Sequence, residues 1–295
     1  MKIGVMVESF REGLDGGLYA AADIGAQGVQ MYATAGETHP RTLKGTRRRD
    51  LLKKTQDLGL EFAAICGDFG GHGFEIAQDN ARRVDDSRRV AELALDLSCR
   101  VVTTHIGVLP TVGMPRPDRE PDRKNPRWGV MLDACRKLAA AGKDMGATFA
   151  IETGPEPAAV LKSFLDEVAV GGGISVNFDP ANLAMVIAED IPAATTTLGP
   201  YIVHTHAKDG LNLKPCDAEA LYGAFAEAGI AAFDVSEFIR EVPLGQGAVP
   251  WAAYLAALKA AKYDYYLTVE REVGREPRTD IELAVKFLTD LLKNS

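Results

Sequence analysis

No apolar run in the sequence is long enough to cross a membrane, since a span needs about 18 consecutive apolar residues. The N-terminal segment, MKIGVMVESF, reaches a charge too early for a secretory signal and predicts a buried first strand instead. Basic residues are outnumbered by acidic ones, 33 to 41, and the net charge of −8 argues against a nucleic-acid partner. We therefore expect a cytoplasmic protein that binds neither membranes nor nucleic acid.

Cysteines are few, and none of them forms a CxxC pair. The four are Cys66, Cys99, Cys135 and Cys216. Their mostly apolar surroundings predict reduced core thiols, not a disulfide frame or a zinc knuckle. The sequence also lacks a GxGxxG motif after its first predicted strand, and the glycines at 171–173 precede a strand, so nothing supports a dinucleotide site.

What the sequence does contain is a regular alternation of short apolar runs and amphipathic stretches. The runs, rich in Val, Ile, Phe and Tyr, are typical of parallel strands buried on both faces. They cover residues 2–7, 28–32, 61–66, 100–105, 148–152, 174–179, 202–206 and 265–270. Helices are predicted at 49–58, 80–97, 128–145, 157–168, 251–261 and 280–292, several of them ending at a glycine such as Gly59 or Gly146.

Eight strand–helix units in 295 residues predict one domain, residues 1–295, folded as a (β/α)8 TIM barrel. A doubly wound open sheet is the alternative, but it usually has fewer strands at this length. The connections after the fourth and seventh strands, residues 107–127 and 207–249, are too long for simple turns. Because both follow strand C-termini, where barrel enzymes keep their chemistry, we expect lids there; solvated insertions are the alternative.

Polar side chains stand at or just beyond the ends of the predicted strands. They are Glu8, Tyr32, Asp68, His105, Glu152, Asp179, His206 and Glu270. Carboxylates and imidazoles dominate this set, and burying so many acids around one cavity is costly unless a cation lies among them.

Four of these residues form the strongest candidate site. Asp179 lies 27 residues after Glu152, and His206 lies 27 residues after Asp179, one strand–helix–strand period each. Glu270 ends the last strand and completes the set. Three carboxylates and one imidazole suit Mn²⁺, Mg²⁺ or Co²⁺ better than a closed structural zinc site. The alternative is that each residue is a salt-bridged part of the barrel.

Five segments resemble the xylose isomerase-like TIM-barrel superfamily, in particular sugar phosphate isomerases and epimerases related to ketose 3-epimerases and hydroxypyruvate isomerase. They are IETGPEP (151–157), NFDPANL (177–183), HTHAKD (204–209), PLGQGAVPW (243–251) and LTVERE (267–272). The resemblance implies one divalent metal ion, Mn²⁺ before Mg²⁺, Co²⁺ or Zn²⁺, on Glu152, Asp179, His206 and Glu270. It also implies that Glu152 and Glu270 are the acid/base pair.

The implied function is a metal-dependent isomerase or epimerase that acts on a keto-sugar or related polyol through a cis-enediolate. A homodimer or homotetramer is the oligomeric state expected from the resemblance. Two alternatives stay open: a metal-dependent lyase or dehydratase acting on a keto-sugar or keto-cyclitol, and a non-catalytic sugar-binding barrel. An apurinic-site endonuclease with three zinc ions would need more histidines than the five present, and Asn182 stands where one would be wanted.

The sequence departs from ketose 3-epimerases at two substrate-contacting positions. Asn182 replaces a histidine after the strand-six aspartate, and Lys208 follows the strand-seven histidine where an arginine is expected nearby. We expect Lys208 to hold a carboxylate, a phosphate or terminal hydroxyls of the substrate; an exposed loop lysine is the alternative. Further substrate contacts are predicted, with less support, at Glu156, His105, His72 and Trp128, whereas His204 is expected to be structural because neighbours on a strand face opposite ways.

Overall fold

A computed structural model describes residues 1–114, 116–169, 171–227 and 234–294 of the chain. Its ten strands are β1 (Lys2–Met6), β2 (Gly28–Tyr32), β3 (Glu61–Cys66), β4 (Val101–Thr104), β5 (Thr148–Glu152), β6 (Ile174–Phe178), β7 (Ile202–Ala207), β8 (Asp209–Asn212), β9 (Ile239–Val242) and β10 (Tyr266–Val269). Eight of them form a closed parallel barrel in the order β1-β10-β7-β6-β5-β4-β3-β2. The predicted (β/α)8 barrel is therefore confirmed.

Ten α-helices are described, most of them packed around the barrel. They are α1 (Gly13–Asp23), α2 (Thr46–Asp57), α3 (Ala77–Asp96), α4 (Pro126–Met145), α5 (Ala158–Val168), α6 (Pro180–Val186), α7 (Ile191–Leu198), α8 (Ala218–Ala226), α9 (Trp251–Ala260) and α10 (Pro277–Lys293). None of the helices in the described part of the chain is long and apolar enough to span a membrane.

The predicted barrel strands agree with the structure to within one residue at each end. The polar residue that closes several predicted runs, such as Asp179 or Glu270, lies just outside the hydrogen-bonded ladder. Strand register brings these ends to one rim: Glu152 pairs with Asn177, and His206 pairs with Thr268. The strand ends thus surround one opening, as expected at the C-terminal face of a barrel.

Local signals explain where the helices begin and end. Asn125 caps α4, its side chain accepting the backbone N–H of Arg127 at 3.0 Å, and Pro126 occupies the first helical position, where its missing N–H costs nothing. Gly146 ends the helix in the left-handed conformation, with φ of 76°. The inner faces of the helices pack on the barrel through fully buried side chains such as Leu138 and Phe164.

The connection after β7 is more regular than the predicted long loop. It contains the antiparallel pair β8–β9 and the helix α8, whereas the connection after β4 is irregular apart from one bridge between Thr111 and Pro121. Residues 115 and 228–233 of these two connections lie outside the described residues.

Asp209 anchors both ends of the connection after β7. One carboxylate oxygen accepts the backbone N–H of Gly210 at 2.9 Å and of Val249 at 3.1 Å. The other accepts the backbone N–H of Gly245 at 2.9 Å and the indole N–H of Trp251 at 3.0 Å. Trp251 therefore packs the start of α9.

Candidate metal centre

Four side chains meet at the C-terminal rim of adjacent strands β5, β6, β7 and β10. Glu152, Asp179, His206 and Glu270 each offer one ligand atom, and these atoms all lie within 4.8 Å of one another. The Nδ1 atom of His206 is 3.6 Å from a Glu152 oxygen, 3.7 Å from an Asp179 oxygen and 3.4 Å from a Glu270 oxygen. All four side chains are buried. The four residues that the sequence singled out as ligands are thus brought together.

The donor set and its unsatisfied atoms fit a divalent cation. Asp179 caps α6 with Oδ1, which accepts the N–H of Ala181 at 2.8 Å, but its buried Oδ2 has no hydrogen-bond partner. Three carboxylates in one buried cluster repel each other unless a positive charge lies among them. Oxygen ligands with one imidazole are typical of Mn²⁺, Mg²⁺ and related ions. The cluster could therefore hold a divalent metal ion.

Gln30, in the middle of β2, holds the imidazole of His206 at the ring nitrogen that does not face the carboxylates. Its Oε1 lies 3.2 Å from His206 Nε2 and 2.8 Å from His204 Nε2, and its amide N–H donates to Thr103 Oγ1 at 3.2 Å. Because Gln30 accepts the proton on Nε2, the other ring nitrogen, Nδ1, faces the carboxylates, and on losing its proton it could bind a metal ion there. The expectation that His204 faces away from His206 is wrong, because residues two apart on a strand share a face and the two rings lie 5.8 Å apart, both at Gln30. Burial, together with neighbouring His206, holds the pKa of His204 well below its ordinary value.

Two amides hold the carboxylate of Glu152. Asn177 donates to Oε2 at 3.0 Å, and Asn182 donates to Oε1 at 3.0 Å and to the carbonyl of Thr153 at 3.1 Å. Asn182 also lines the cavity, but its amide N–H groups are engaged by Glu152 and Thr153. Although burial opposes ionisation, His206 and His105 lower the pKa of Glu152, so the carboxylate is ionised.

Lys208 is buried beside the cluster, which excludes the exposed-loop alternative. Its Nζ lies 3.0 Å from Glu270 Oε2 and also contacts the carboxylate of Glu272. Burial alone would lower the pKa of Lys208, but Glu270 and Glu272 outweigh it and hold this pKa well above its ordinary value. Burial raises the pKa of Glu270, yet His206 and Lys208 reverse the effect and lower it. Lysine and glutamate therefore form a charged pair.

A histidine–aspartate pair faces Glu152 from the neighbouring strands. His105, just past β4, places Nδ1 2.9 Å from Asp68 Oδ2, and its Nε2 lies 3.6 Å from Glu152 Oε1. Burial would lower the pKa of His105, but Glu152 and Asp68 raise it to about 10, so the ring carries both protons. The pair places an oriented N–H donor on the cavity side of Glu152.

The cluster opens into a cavity of about 790 Å³. Of the predicted site residues, the cavity is lined by Glu152, His206, Glu270, Asn182, Lys208, His105 and His72. His72 lies in the connection after β3, partly exposed, with Nε2 3.8 Å from a Glu227 oxygen at the end of α8. Tyr32 also lines the cavity, whereas Glu8 accepts the backbone N–H of Tyr32 at 2.9 Å outside it.

Two predicted substrate contacts are not supported by the structure. The indole N–H of Trp128 donates to Glu167 at 3.1 Å, and its ring packs edge-on against Phe164 with a centroid distance of 5.2 Å. Trp128 therefore lies between α4 and α5, away from the cavity. The position of Trp128 at the start of a helix made a place in the cavity wall plausible. Packing against residues of the next helix instead decides where its side chain points.

Glu156 is also absent from the cavity lining. The residue is 2% exposed, and its Oε2 has no hydrogen-bond partner. Burial raises its pKa to about 7. At the start of α5 the backbone N–H of Ala158 is bound by Glu189, at 3.1 and 3.2 Å from its two oxygens, so Glu156 does not cap the helix.

Sequence reasoning missed several residues of the site. The only sequence signal for Gln30 and Asn177 is that each is a polar residue inside an apolar strand. Tyr222, on α8, lies beside His105 at a ring-centroid distance of 6.4 Å, and no sequence pattern placed that helix over the cavity.

Comparisons with known proteins identify the same architecture. A family model described as xylose isomerase-like TIM barrel matches residues 18–291. A xylose isomerase domain protein from Planctomyces limnophilus superposes with a TM-score of 0.78 at 25% identity, over 99% of this chain and 97% of that one. No curated protein matches the sequence significantly.

Two further solved structures share the fold. The probable 3-DHS dehydratase AsbF from Bacillus anthracis, involved in petrobactin synthesis, gives a TM-score of 0.71 at 18% identity, over 98% of this chain and 99% of that one. D-psicose 3-epimerase with D-tagatose from Clostridium cellulolyticum H10 gives 0.71 at 15% identity, over 99% of both chains. At these identities the likeness shows the fold alone.

Proposed function

Since this chain belongs to the xylose isomerase-like TIM barrel family, we propose that it is a divalent-metal-dependent isomerase or epimerase of a keto-sugar or related polyol. The observation that carries the proposal is the buried cluster of Glu152, Asp179, His206 and Glu270 at the floor of the cavity. Mn²⁺ is the ion we propose first, with Mg²⁺, Co²⁺ and Zn²⁺ as alternatives.

These four residues would hold the metal ion. Bound there, the ion would supply positive charge beside the substrate carbonyl and so acidify the adjacent C–H. Asp179, whose Oδ2 lacks any other partner, and His206, held by Gln30, are ligands without a further role.

Glu152 and Glu270 would carry the proton transfers. They stand on β5 and just after β10, at the two ends of the four-strand arc β5-β6-β7-β10, so a substrate between them presents one face to each. Both have a lowered pKa and are ionised, as a general base must be. One removes the proton next to the carbonyl, giving an enediolate. For the isomer, the glutamate that took the proton gives it to the neighbouring carbon, and a hydroxyl proton moves between the two oxygens of the enediolate. For the epimer, the other glutamate first takes a proton from solvent and gives it to the opposite face of the same carbon, while the first glutamate releases its proton to solvent.

The surrounding residues would position these two glutamates. Asn177 and Asn182 hold Glu152, and Lys208 holds Glu270, so each carboxylate has a fixed direction toward the cavity. The Nε2–H of His105, oriented by Asp68, is the donor we assign to a substrate oxygen beside Glu152.

The His105–Asp68 pair favours a second candidate, a lyase or dehydratase of a keto-sugar or keto-cyclitol. In that reaction Glu152 takes the proton next to the carbonyl, and the hydroxyl on the following carbon leaves with a proton from His105 as water. The first proton removal is shared with the isomerase, and only the fate of the hydroxyl differs.

Solvent isotope exchange tests the proposal. Keto-sugars incubated in D₂O with the Mn²⁺-loaded protein should gain deuterium at the carbon next to the carbonyl, as seen by NMR and mass spectrometry. Glu152→Gln and Glu270→Gln should each lose at least about 100-fold in exchange, a range typical of general bases. The matched control is Glu156→Gln, which makes the same change four residues from Glu152 outside the cavity and should keep full exchange.

The outcomes separate the candidates. Deuterium in an epimer or isomer supports the first, and loss of water with a new C=C bond supports the second. Turnover without deuterium, or a protein that takes up no divalent metal by elemental analysis, contradicts the metal-dependent enediolate chemistry. Sugar binding without any reaction by the unaltered, metal-loaded protein would instead support the non-catalytic sugar-binding barrel.

A further inference from the structure

The cavity has an apolar wall that the proposed chemistry does not use. We define it by the apolar side chains contributed by α6, α8, β9 and the connections next to β9 and β10. They are Met185, Val186, Tyr222, Phe225, Val235, Ile239 and Val273. The metal-binding cluster and this apolar wall belong to one continuous cavity, so a ligand that reaches the cluster passes along the wall.

Two members of the apolar wall are exposed large hydrophobic side chains. Phe225 is 57% exposed on α8, and Val273 is 48% exposed in the connection after β10. They come from separate parts of the chain and line the same opening. An apolar patch that lines a cavity and faces solvent is a feature of ligand-binding surfaces.

Aromatic rings continue from the polar floor to this patch. The ring of Tyr222 lies 6.4 Å from that of His105, and the ring of Phe225 packs edge-on against Tyr222 at 6.0 Å. A flat apolar group placed next to Phe225 would therefore extend an existing series of ring contacts.

The cavity is larger than a free sugar needs. Even if each non-hydrogen atom of a hexose took the roughly 30 Å³ that one water occupies in the liquid, the sugar would fill less than about half of the volume. Several charges near the wall are already paired: Arg127 lies 3.3 Å from a Glu75 oxygen and 2.6 Å from a Glu219 oxygen. The remaining space is thus bordered mainly by apolar surface.

We propose that the natural substrate is a glycoside that has a flat apolar aglycone and carries its ketone on a sugar carbon other than the anomeric one, and that the apolar wall binds this aglycone. The sugar part lies at the metal-binding cluster, and the aglycone lies against Phe225 and Val273. The inference rests on the proposed function and extends it from a free keto-sugar to a glycoside.

Calorimetric binding of two probes tests this assignment. Methyl β-D-glucopyranoside and 4-nitrophenyl β-D-glucopyranoside share the sugar and differ only in the aglycone. We expect the nitrophenyl glycoside to bind at least about tenfold more tightly. In the double variant Phe225→Ser/Val273→Ser the two probes should bind within about threefold of each other. Circular dichroism establishes that the variant is folded.

The matched control is Leu283→Ser, which removes a large side chain that is 54% exposed on α10 but does not line the cavity. It should keep the full preference for the nitrophenyl glycoside. Equal binding of both probes by the unaltered protein, or an unchanged preference in the double variant, would overturn the inference.

Failure of this inference can be told apart from failure of the proposed function. The preference for the aglycone should persist in Glu152→Gln/Glu270→Gln without metal, because the apolar wall lies apart from these carboxylates. Deuterium exchange without the preference refutes the glycoside assignment alone. The preference without exchange on any keto-sugar refutes the proposed function alone.

Two other occupants of the apolar wall give distinct results. Arg240 of β9 also lines the cavity. If glucose 6-phosphate binds more tightly than both glycosides and Arg240→Ala abolishes the difference, the wall region is an anion subsite and the inference is wrong. If sedimentation velocity shows an oligomer that dissociates in Phe225→Ser/Val273→Ser, a second copy of the chain covers the wall, which equally contradicts it.

Discussion

The Oε1 atom of Gln30 lies 3.2 Å from Nε2 of His206, on the side of the imidazole opposite the carboxylates. A glutamine buried in the second strand thereby determines which nitrogen of a seventh-strand histidine faces the candidate metal centre. The contact gives Gln30 a positioning role, because its carbonyl oxygen selects the tautomer with a free Nδ1.

Replacing Gln30 with Met, which keeps the length but removes the acceptor, should weaken Mn²⁺ binding by about 10- to 100-fold. Electron paramagnetic resonance of free Mn²⁺ during titration measures the dissociation constant directly. The control is Gln27→Met, since Gln27 accepts the backbone N–H of Ile3 at 3.1 Å, away from the ligands. Equal affinity in both variants would show that Gln30 does not hold the ligand.

Metal binding should stabilise the fold and depend on Asp179. At a free concentration of 100 times the dissociation constant, a ligand adds about 2.7 kcal/mol, and this raises the melting temperature by roughly 5 °C or more. Calorimetry with Mn²⁺ and with EDTA measures the difference. Asp179→Asn should abolish it, whereas Asp190→Asn, the same change at the N-cap of α7, should keep it. An undiminished Mn²⁺ effect in Asp179→Asn would remove this residue from the ligand set.

Removing Lys208 should destabilise the metal-free protein, because Glu270 would remain as a buried carboxylate without its cation. Loss of one partner of a buried pair costs about 3 kcal/mol or more. In urea denaturation, Lys208→Met should show this loss in EDTA and a smaller one in Mn²⁺. In the Glu270→Gln background the same substitution should cost clearly less, since no charge is left unpaired. Equal costs in both backgrounds would mean that the pair is not coupled.

The raised pKa of Glu156 predicts that this residue lowers the free energy of unfolding as the pH rises. A carboxyl with a pKa of about 7 in the folded state and an ordinary value when unfolded contributes stability that is complete below about pH 4.5 and lost as the pH rises through 7. Glu156→Gln should therefore match the unaltered protein near pH 4.5 and exceed it by up to about 3 kcal/mol at pH 8. Urea denaturation at both pH values measures the change. The control, exposed Glu282→Gln on α10, should shift neither value, and a gain for Glu156→Gln at pH 4.5 would contradict the burial argument.

The barrel could be predicted because its strands are continuous apolar runs, a local property that the sequence displays directly. The candidate ligands could be predicted because one polar residue at each strand end departs from that pattern. Gln30 departs from it too, in the apolar strand GVQMY, but its partner His206 lies across the barrel interior. Strand pairing in space, not spacing in sequence, explains such contacts.

The structure of the connection after β7 could not be predicted either, because it depends on contacts between residues far apart in the sequence. The antiparallel pair β8–β9 depends on Asp209, which binds groups up to 42 residues ahead of it, and on packing against α6. Trp128 was misplaced because its burial depends on Glu167 and Phe164 of the next helix. Local pattern predicts which residues are helical, but tertiary contacts decide which way a helix start faces.

The four hydrogen bonds of Asp209 mark the two ends of a segment that could be exchanged separately from the barrel. They tie the two ends of the 209–251 segment together next to β7, and ion pairs of Glu219 with Arg127 and of Glu227 with His72 hold its middle part against the barrel. Tyr222 and Phe225 of this segment line the cavity, so exchanging the segment as a whole would change the cavity wall. Grafting the corresponding segment of a relative onto this barrel is a route to new ligand selectivity without rebuilding the centre below it.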